Sequence, residues 1–134
     1  QNQLSTLKAL VNIGFEGLNG IQAIVLKAEQ LFDQQDFVLS AINFLRAAEL
    51  NPSRYNYYEN AALAYYLGGE FEEARKLFTY ILKNFQKKRN GKSEFYLGVL
   101  EIEKKNKNQG CIFLKEALKK QFSGTRKVIE NYCY

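Results

Sequence analysis

Residues 55–88 read YNYYENAALAYYLGGEFEEARKLFTYILKNFQKK, and this stretch decides the fold. Its first half carries Tyr58, Ala61, Ala62, Tyr65 and Gly69; its second half carries Phe71, Ala74, Phe78 and Ile81. Steps of three and four residues lay these side chains along one stripe of each of two helices. Gly68-Gly69 supplies the tight turn between them. Glu70, Glu72 and Glu73 crowd the start of the second helix, where free amides and the helix dipole favour carboxylates. The same cluster could be imagined as a catalytic group, but no acid–base partner stands near it, and the helix start accounts for it.

The pattern recurs on both sides. Residues 21–54 form a preceding block of the same 34-residue length, in phase. Ile24, Ala28 and Leu31 mark its first helix, and Phe37, Ala41, Phe44 and Ala47 its second, with Asp36 as the N-cap and Pro52 beyond the end. Residues 91–124 follow after a slip of two, carrying Leu97, Gly98, Gly110, Leu114 and Ala117. In this block Glu94, Glu101 and Lys107 occupy places that are otherwise apolar. The intervening residues 86–91, QKKRNG, read as a flexible linker. An amphipathic helix over residues 4–18 is marked by Leu4, Leu7, Val11, Phe15 and Leu18 and ends at Asn19-Gly20. Residues 125–134 read as a short closing helix capped by Ser123 or Thr125, covering an apolar face that stacking leaves open. A fixed period of helix, turn, helix is the mark of a helical solenoid. The expectation is one domain, divided into residues 1–20, 21–54, 55–88, 91–124 and 125–134.

Composition narrows the function classes. The 134 residues are 46% hydrophobic and 25% charged, as in an ordinary globular chain able to bury a core. No apolar run approaches the roughly 20 residues that span a bilayer. With no histidine, there is no Ser–His–Asp or Cys–His triad and no histidine metal ligand, and the glycine-rich loop that cradles phosphate is incomplete, because Gln86 stands where it needs a glycine ahead of Gly91-Lys92-Ser93. An enzyme, a metal and a cofactor are therefore not expected. The net charge of +5 gathers at Lys87-Lys88-Arg89, Lys92, Lys104-Lys105, Lys107 and Lys119-Lys120. Nucleic acid or an acidic surface is the alternative partner this suggests. Solvated helix ends are the preferred explanation, because no aromatic residues interleave with the cations in the stacking manner. Cys111 and Cys133 fall on helices expected to be neighbours; a disulfide can form between them if the protein is exported, and two buried thiols are the alternative towards which the reading leans. The opening Gln1 in place of methionine implies a processed or trimmed chain, and with the cysteine pair and the Asn- and Lys-rich composition it leans towards an exported bacterial protein, with the cytoplasm as alternative.

The residues so placed resemble the tetratricopeptide repeat family. In residues 55–88, Tyr58, Ala62, Tyr65, Gly69, Phe71, Ala74, Phe78 and Ile81 stand on the family's positions 4, 8, 11, 15, 17, 20, 24 and 27, with Gln86 in place of the proline at 32. The preceding block matches with Ala28, Leu31, Phe37, Ser40, Phe44, Ala47 and Pro52, while Ile24 and Gln35 replace an aromatic and a glycine. The third block matches only through Gly98, Gly110, Leu114 and Ala117. The resemblance covers most of the chain, from Ile21 to Gly124. It implies an all-α fold, a right-handed α-solenoid of stacked antiparallel helix pairs whose concave superhelical face binds a partner.

On that basis the groove is expected to present Gln22, Val25, Leu26, Glu29, Phe32 and Asp33 from the first block, Asn56, Glu59, Asn60, Leu63, Tyr66 and Leu67 from the second, and Lys92, Phe95, Tyr96, Val99, Ile102 and Glu103 from the third. Some relatives clamp the C-terminal carboxylate of a chaperone peptide with lysine, asparagine and arginine. The corresponding positions here hold Val25, Glu29, Asn60, Lys92 and Tyr96, and Glu29 would repel an anion, so that mode is rejected. The expected function is a non-catalytic protein–protein interaction module or adaptor, seating a peptide or helix of a partner protein. A structural, self-associating homo-oligomer is the third reading carried.

Overall fold

The computed structural model describes residues 20–134, so the helix expected over residues 4–18 lies outside the described residues. The described residues form seven α-helices and no strand: α1 Gly20–Asp33, α2 Phe37–Leu50, α3 Tyr55–Leu67, α4 Phe71–Asn84, α5 Lys92–Glu103, α6 Lys107–Lys119 and α7 Thr125–Tyr132. None of these helices is long and apolar enough to cross a membrane. Two compact units divide the chain, Gln1–Glu70 and Phe71–Tyr134, so the boundary falls at the turn inside the second 34-residue block. In the first unit α2 packs on both α1 and α3; in the second α5 packs on α4 and α6, and α7 closes against α6.

The repeat is written most plainly in the turns. After α1, the amides of Gln34, Gln35 and Asp36 donate to the carbonyls of Gln30, Phe32 and Leu31 at 3.0, 2.9 and 2.8 Å. The same three bonds recur at Gly68, Gly69 and Glu70 after α3, and at Lys104, Lys105 and Asn106 after α5. The bond reaching five residues back is of the Schellman type, and it needs a left-handed residue before it. That residue is Gln35, Gly69 and Lys105, with φ of 64, 83 and 66°. The slip of two therefore lies between the second and third turns, and the third block runs in the register of residues 91–124. Asp36 stands at the N-cap of α2 but makes no side-chain cap bond. Gly124, not Ser123 or Thr125, is the N-cap of α7, and the Thr125 hydroxyl instead donates to the Phe122 carbonyl at 2.7 Å.

Small residues set the helix crossings. Ser40 on α2 and Ala28 on α1 are both fully buried, and the Ser40 hydroxyl donates to the Ala28 carbonyl at 2.7 Å. In the second unit glycines take this place. A Cβ built on Gly98 would lie 2.9 Å from the Gly110 carbonyl oxygen and 2.7 Å from Leu114 Cγ, so no side chain fits at this approach. Around the crossings the apolar stripes close into cores: Ala41, Phe44, Ala47 and Ala61 in the first unit, Phe78, Ile81, Leu97 and Leu114 in the second.

The third block differs in how it fills its core. Glu94 and Glu101 are buried where the other blocks place apolar side chains. Each has a cation. Arg89 Nη1 meets Glu94 Oε1 at 2.8 Å, both side chains only 5% exposed, and Arg89 Nε also donates to the Phe85 carbonyl. Arg75 Nη2 donates to both oxygens of Glu101 at 2.7 and 3.0 Å. Lys107, the third odd residue, is exposed. The segment over residues 86–91 is thus pinned by Arg89 rather than free, which corrects the linker expectation. The cause is the cost of leaving a charge buried without its counter-charge.

Cys111 on α6 and Cys133 just past α7 are joined in a disulfide, with Cα atoms 5.8 Å apart, and are not separate thiols. Together with buried Thr125 and Ile129 it holds α7 in place. Closing a loop of 22 residues removes denatured-chain entropy worth about 3 kcal/mol in the chain-entropy account.

Two outcomes follow for stability. Gln35→Gly and Lys105→Gly relieve left-handed strain at a non-glycine residue, and each should stabilise the protein by about 1 kcal/mol in urea unfolding. Arg89→Ala leaves Glu94 buried and unpaired and should cost about 3–5 kcal/mol, whereas the paired change Arg89→Met with Glu94→Leu should cost much less. Equal losses for the single and paired variants would show that the ion pair does not hold this segment.

Candidate functional site

The last two turns of α1 place Glu29, Phe32 and Asp33 on one face, being three and four residues apart. On α3, Asn60 and Leu63 share a face by the same spacing. Both helices pack on α2, and between them opens a cleft of about 250 Å³ lined by Glu29, Phe32, Asp33, Phe44, Asn60 and Leu63. Phe44, almost fully buried, forms its floor. Phe32 is fixed by an edge-on contact with Phe37, ring centroids 5.2 Å apart. Phe32, Leu63 and Asn60 are half-buried, while Glu29 and Asp33 are exposed at the rim. The first unit contains four lysines and arginines against seven carboxylates, a formal charge of −3, so the cleft opens in an acidic body.

Of the groove residues expected from the sequence, the structure brings Glu29, Phe32, Asn60 and Leu63 together here. Asp33, expected in the same groove, is with them, and Phe44, read from its spacing as part of the apolar stripe of α2, is a lining residue as well. Half-buried Val25 and Tyr66 and exposed Asn56 belong to the same unit but do not line the cleft.

The expected residues of the third block have a different setting. Phe95 lies 5.1 Å from the Tyr96 ring and 5.2 Å from Phe122. Tyr96 in turn stacks on Phe78 at 5.7 Å with 11° between planes. Phe95 and Tyr96 are therefore engaged in helix-to-helix packing, and with Lys92 and Val99 they are half-buried in the second unit. Burial pushes the Tyr96 hydroxyl above the ordinary tyrosine value. At the exposed end of this unit, Lys104 Nζ donates to Glu72 Oε1 at 2.7 Å, and that bond with the lysine charge holds the Glu72 carboxyl below the usual range.

Among the described residues no group of three histidine, cysteine, aspartate or glutamate side chains is placed to hold a metal ion. What the cleft offers is an apolar seat with three hydrogen-bonding side chains around it. No family model matches the chain, and no curated protein matches it.

The aromatic stack gives a measurable consequence. A raised hydroxyl pKa means the folded protein keeps its proton where the unfolded chain has lost it, so stability falls as pH rises past the ordinary tyrosine value of about 10. Tyr96→Phe should flatten that alkaline loss in denaturant titrations. Tyr96→Ala should cost about 2–3 kcal/mol at neutral pH by opening the stack on Phe78. A neutral-pH melting point unchanged in the alanine variant would place Tyr96 outside the packing.

Proposed function

We propose that the protein is a non-catalytic interaction module, related to tetratricopeptide repeat proteins, that holds a peptide or helix of a partner protein in the cleft between α1 and α3. The observation that carries this reading is the cleft itself: Phe32, Phe44 and Leu63 form an apolar seat, and Glu29, Asp33 and Asn60 stand round it. Its size supports a peptide over a free metabolite. Pockets for whole small molecules run from about 300 to 1,000 Å³, and 250 Å³ in an open cleft takes one or two anchoring side chains. Anchors of this kind, spaced along a helix or extended segment, are how repeat surfaces read partners. The identical turns and small-residue crossings support kinship with the family.

A second reading draws on charge. The second unit has fifteen lysines and arginines against seven carboxylates, a formal +8, which suits nucleic acid or an acidic surface. Among the described residues Arg75, Lys76, Arg89, Lys104 and Lys119 already face carboxylates within 4 Å, which reduces what is free for phosphate. We rank it second for that reason.

Peptide display on the immobilised protein, followed by fluorescence anisotropy of the enriched peptides, tests the first reading. Leu63→Ala and Asn60→Ala should each weaken binding about tenfold or more while leaving the circular dichroism spectrum unchanged. A loss of one apolar anchor of about 1.4 kcal/mol corresponds to that factor. Binding unaffected by both substitutions would remove the cleft as the working surface.

A further inference from the structure

Resting on the reading just given, we infer that the occupant of the cleft is a cationic segment, an apolar side chain flanked closely by lysine or arginine. The rim carboxylates carry this inference. Glu29 and Asp33 lie four residues apart on one helix face, so their like charges repel along the axis of α1. Both sit in the C-terminal part of that helix, and Asp33 is its last residue, where the negative end of the dipole disfavours an acid. Neither is relieved from within. No residue three or four positions from either is basic, α1 has no basic residue in its last turn, and Lys27, two positions from Glu29, points to another face. Among the described residues neither carboxylate has an ion-pair or hydrogen-bond partner, and Asn60 across the cleft has none.

Two acids placed against these local preferences of their helix are answered by no cation among the described residues. Broken local rules of this kind gather at functional sites. A cation brought by a partner would answer both carboxylates at once, while its neighbouring apolar side chain rests on Phe32, Phe44 and Leu63 and the Asn60 amide takes a backbone group. The net charge of −3 on this unit draws the same kind of segment by long-range attraction and repels an acidic one. The preference is opposite in sign to the carboxylate-terminal clamp described for some tetratricopeptide repeats.

A library of displayed random octapeptides, selected on the folded full chain, reads the preference directly. Enriched peptides should carry Lys or Arg within two residues of Leu, Ile or Phe. A synthetic peptide of the enriched sequence should lose at least tenfold in affinity for the Glu29→Lys/Asp33→Lys double variant, and its Lys-to-Glu counterpart should gain. The milder Glu29→Gln/Asp33→Asn pair, which cannot strain the fold by charge, should give an intermediate loss. Enriched peptides without basic residues that still depend on Leu63 would overturn this inference and leave the interaction reading standing. Basic peptides indifferent to both double variants would overturn it too, since they bind elsewhere. A selection that enriches nothing would end both.

Discussion

Two helices can approach only as far as the side chains at their crossing allow, and that contact governs the rest of this structure. Where Ala28 meets Ser40, and where Gly98 meets Gly110, the backbones come close enough for one side chain's oxygen to reach the other's carbonyl or for no side chain to fit at all. Larger residues such as Phe44 and Leu114 then fill the space on either side, as close-packed interiors require. Ser40 can be buried at such a point because its hydroxyl finds a carbonyl in reach and is not left unsatisfied. The turns repeat as regularly: each closes with the same Schellman-type bond and one left-handed residue, whether that residue is glycine, glutamine or lysine.

The third block shows how far the apolar recipe can be altered without losing the arrangement. Glu94 and Glu101 take positions that suit aromatic or aliphatic side chains, and the cores stay closed because Arg89 and Arg75 arrive with them. Buried pairs of this type add little net stability over a well-packed apolar pair, but losing one partner leaves the other charge buried and uncompensated. Arg89 therefore fixes the path of the chain between α4 and α5, and the two extra residues of the repeat are accommodated there without a loose joint. The disulfide from α6 to the end of α7 gives the C-terminal helix, only eight residues long, a tether that its own short apolar stripe could not supply.

Charge is divided as unevenly as packing is regular. The first unit is acidic and the second strongly basic, so the modest net charge of the whole chain conceals two surfaces of opposite sign. In the second unit five of the fifteen cations answer carboxylates of the same unit. In the first, Glu29 and Asp33 answer nothing among the described residues and stand at the rim of the apolar cleft. An unrelieved charge next to an apolar seat is the feature on which the proposed binding of a partner rests.

From the sequence alone came the period, the helix pairs, the first two turns and the small residues of each crossing, because all of these are marked by residues a few positions apart or repeated at a fixed spacing. Five of the six cleft residues were also within reach, since the resemblance puts Glu29, Phe32, Asp33, Asn60 and Leu63 on the faces expected to line a groove. Only the tertiary structure decided the remainder. Phe44 carries the spacing of a core residue and becomes a cleft floor only because α1 and α3 both lean on α2 and part above it. Phe95 and Tyr96 carry the spacing of a groove and become packing because Phe78 and Phe122 stand over them. Glu101 reads only as an acid in a place that is otherwise apolar until Arg75, 26 residues earlier, is brought against it. Periodicity tells a helix which of its faces is apolar; it does not say what that face will meet, and a side chain's role depends on what it meets.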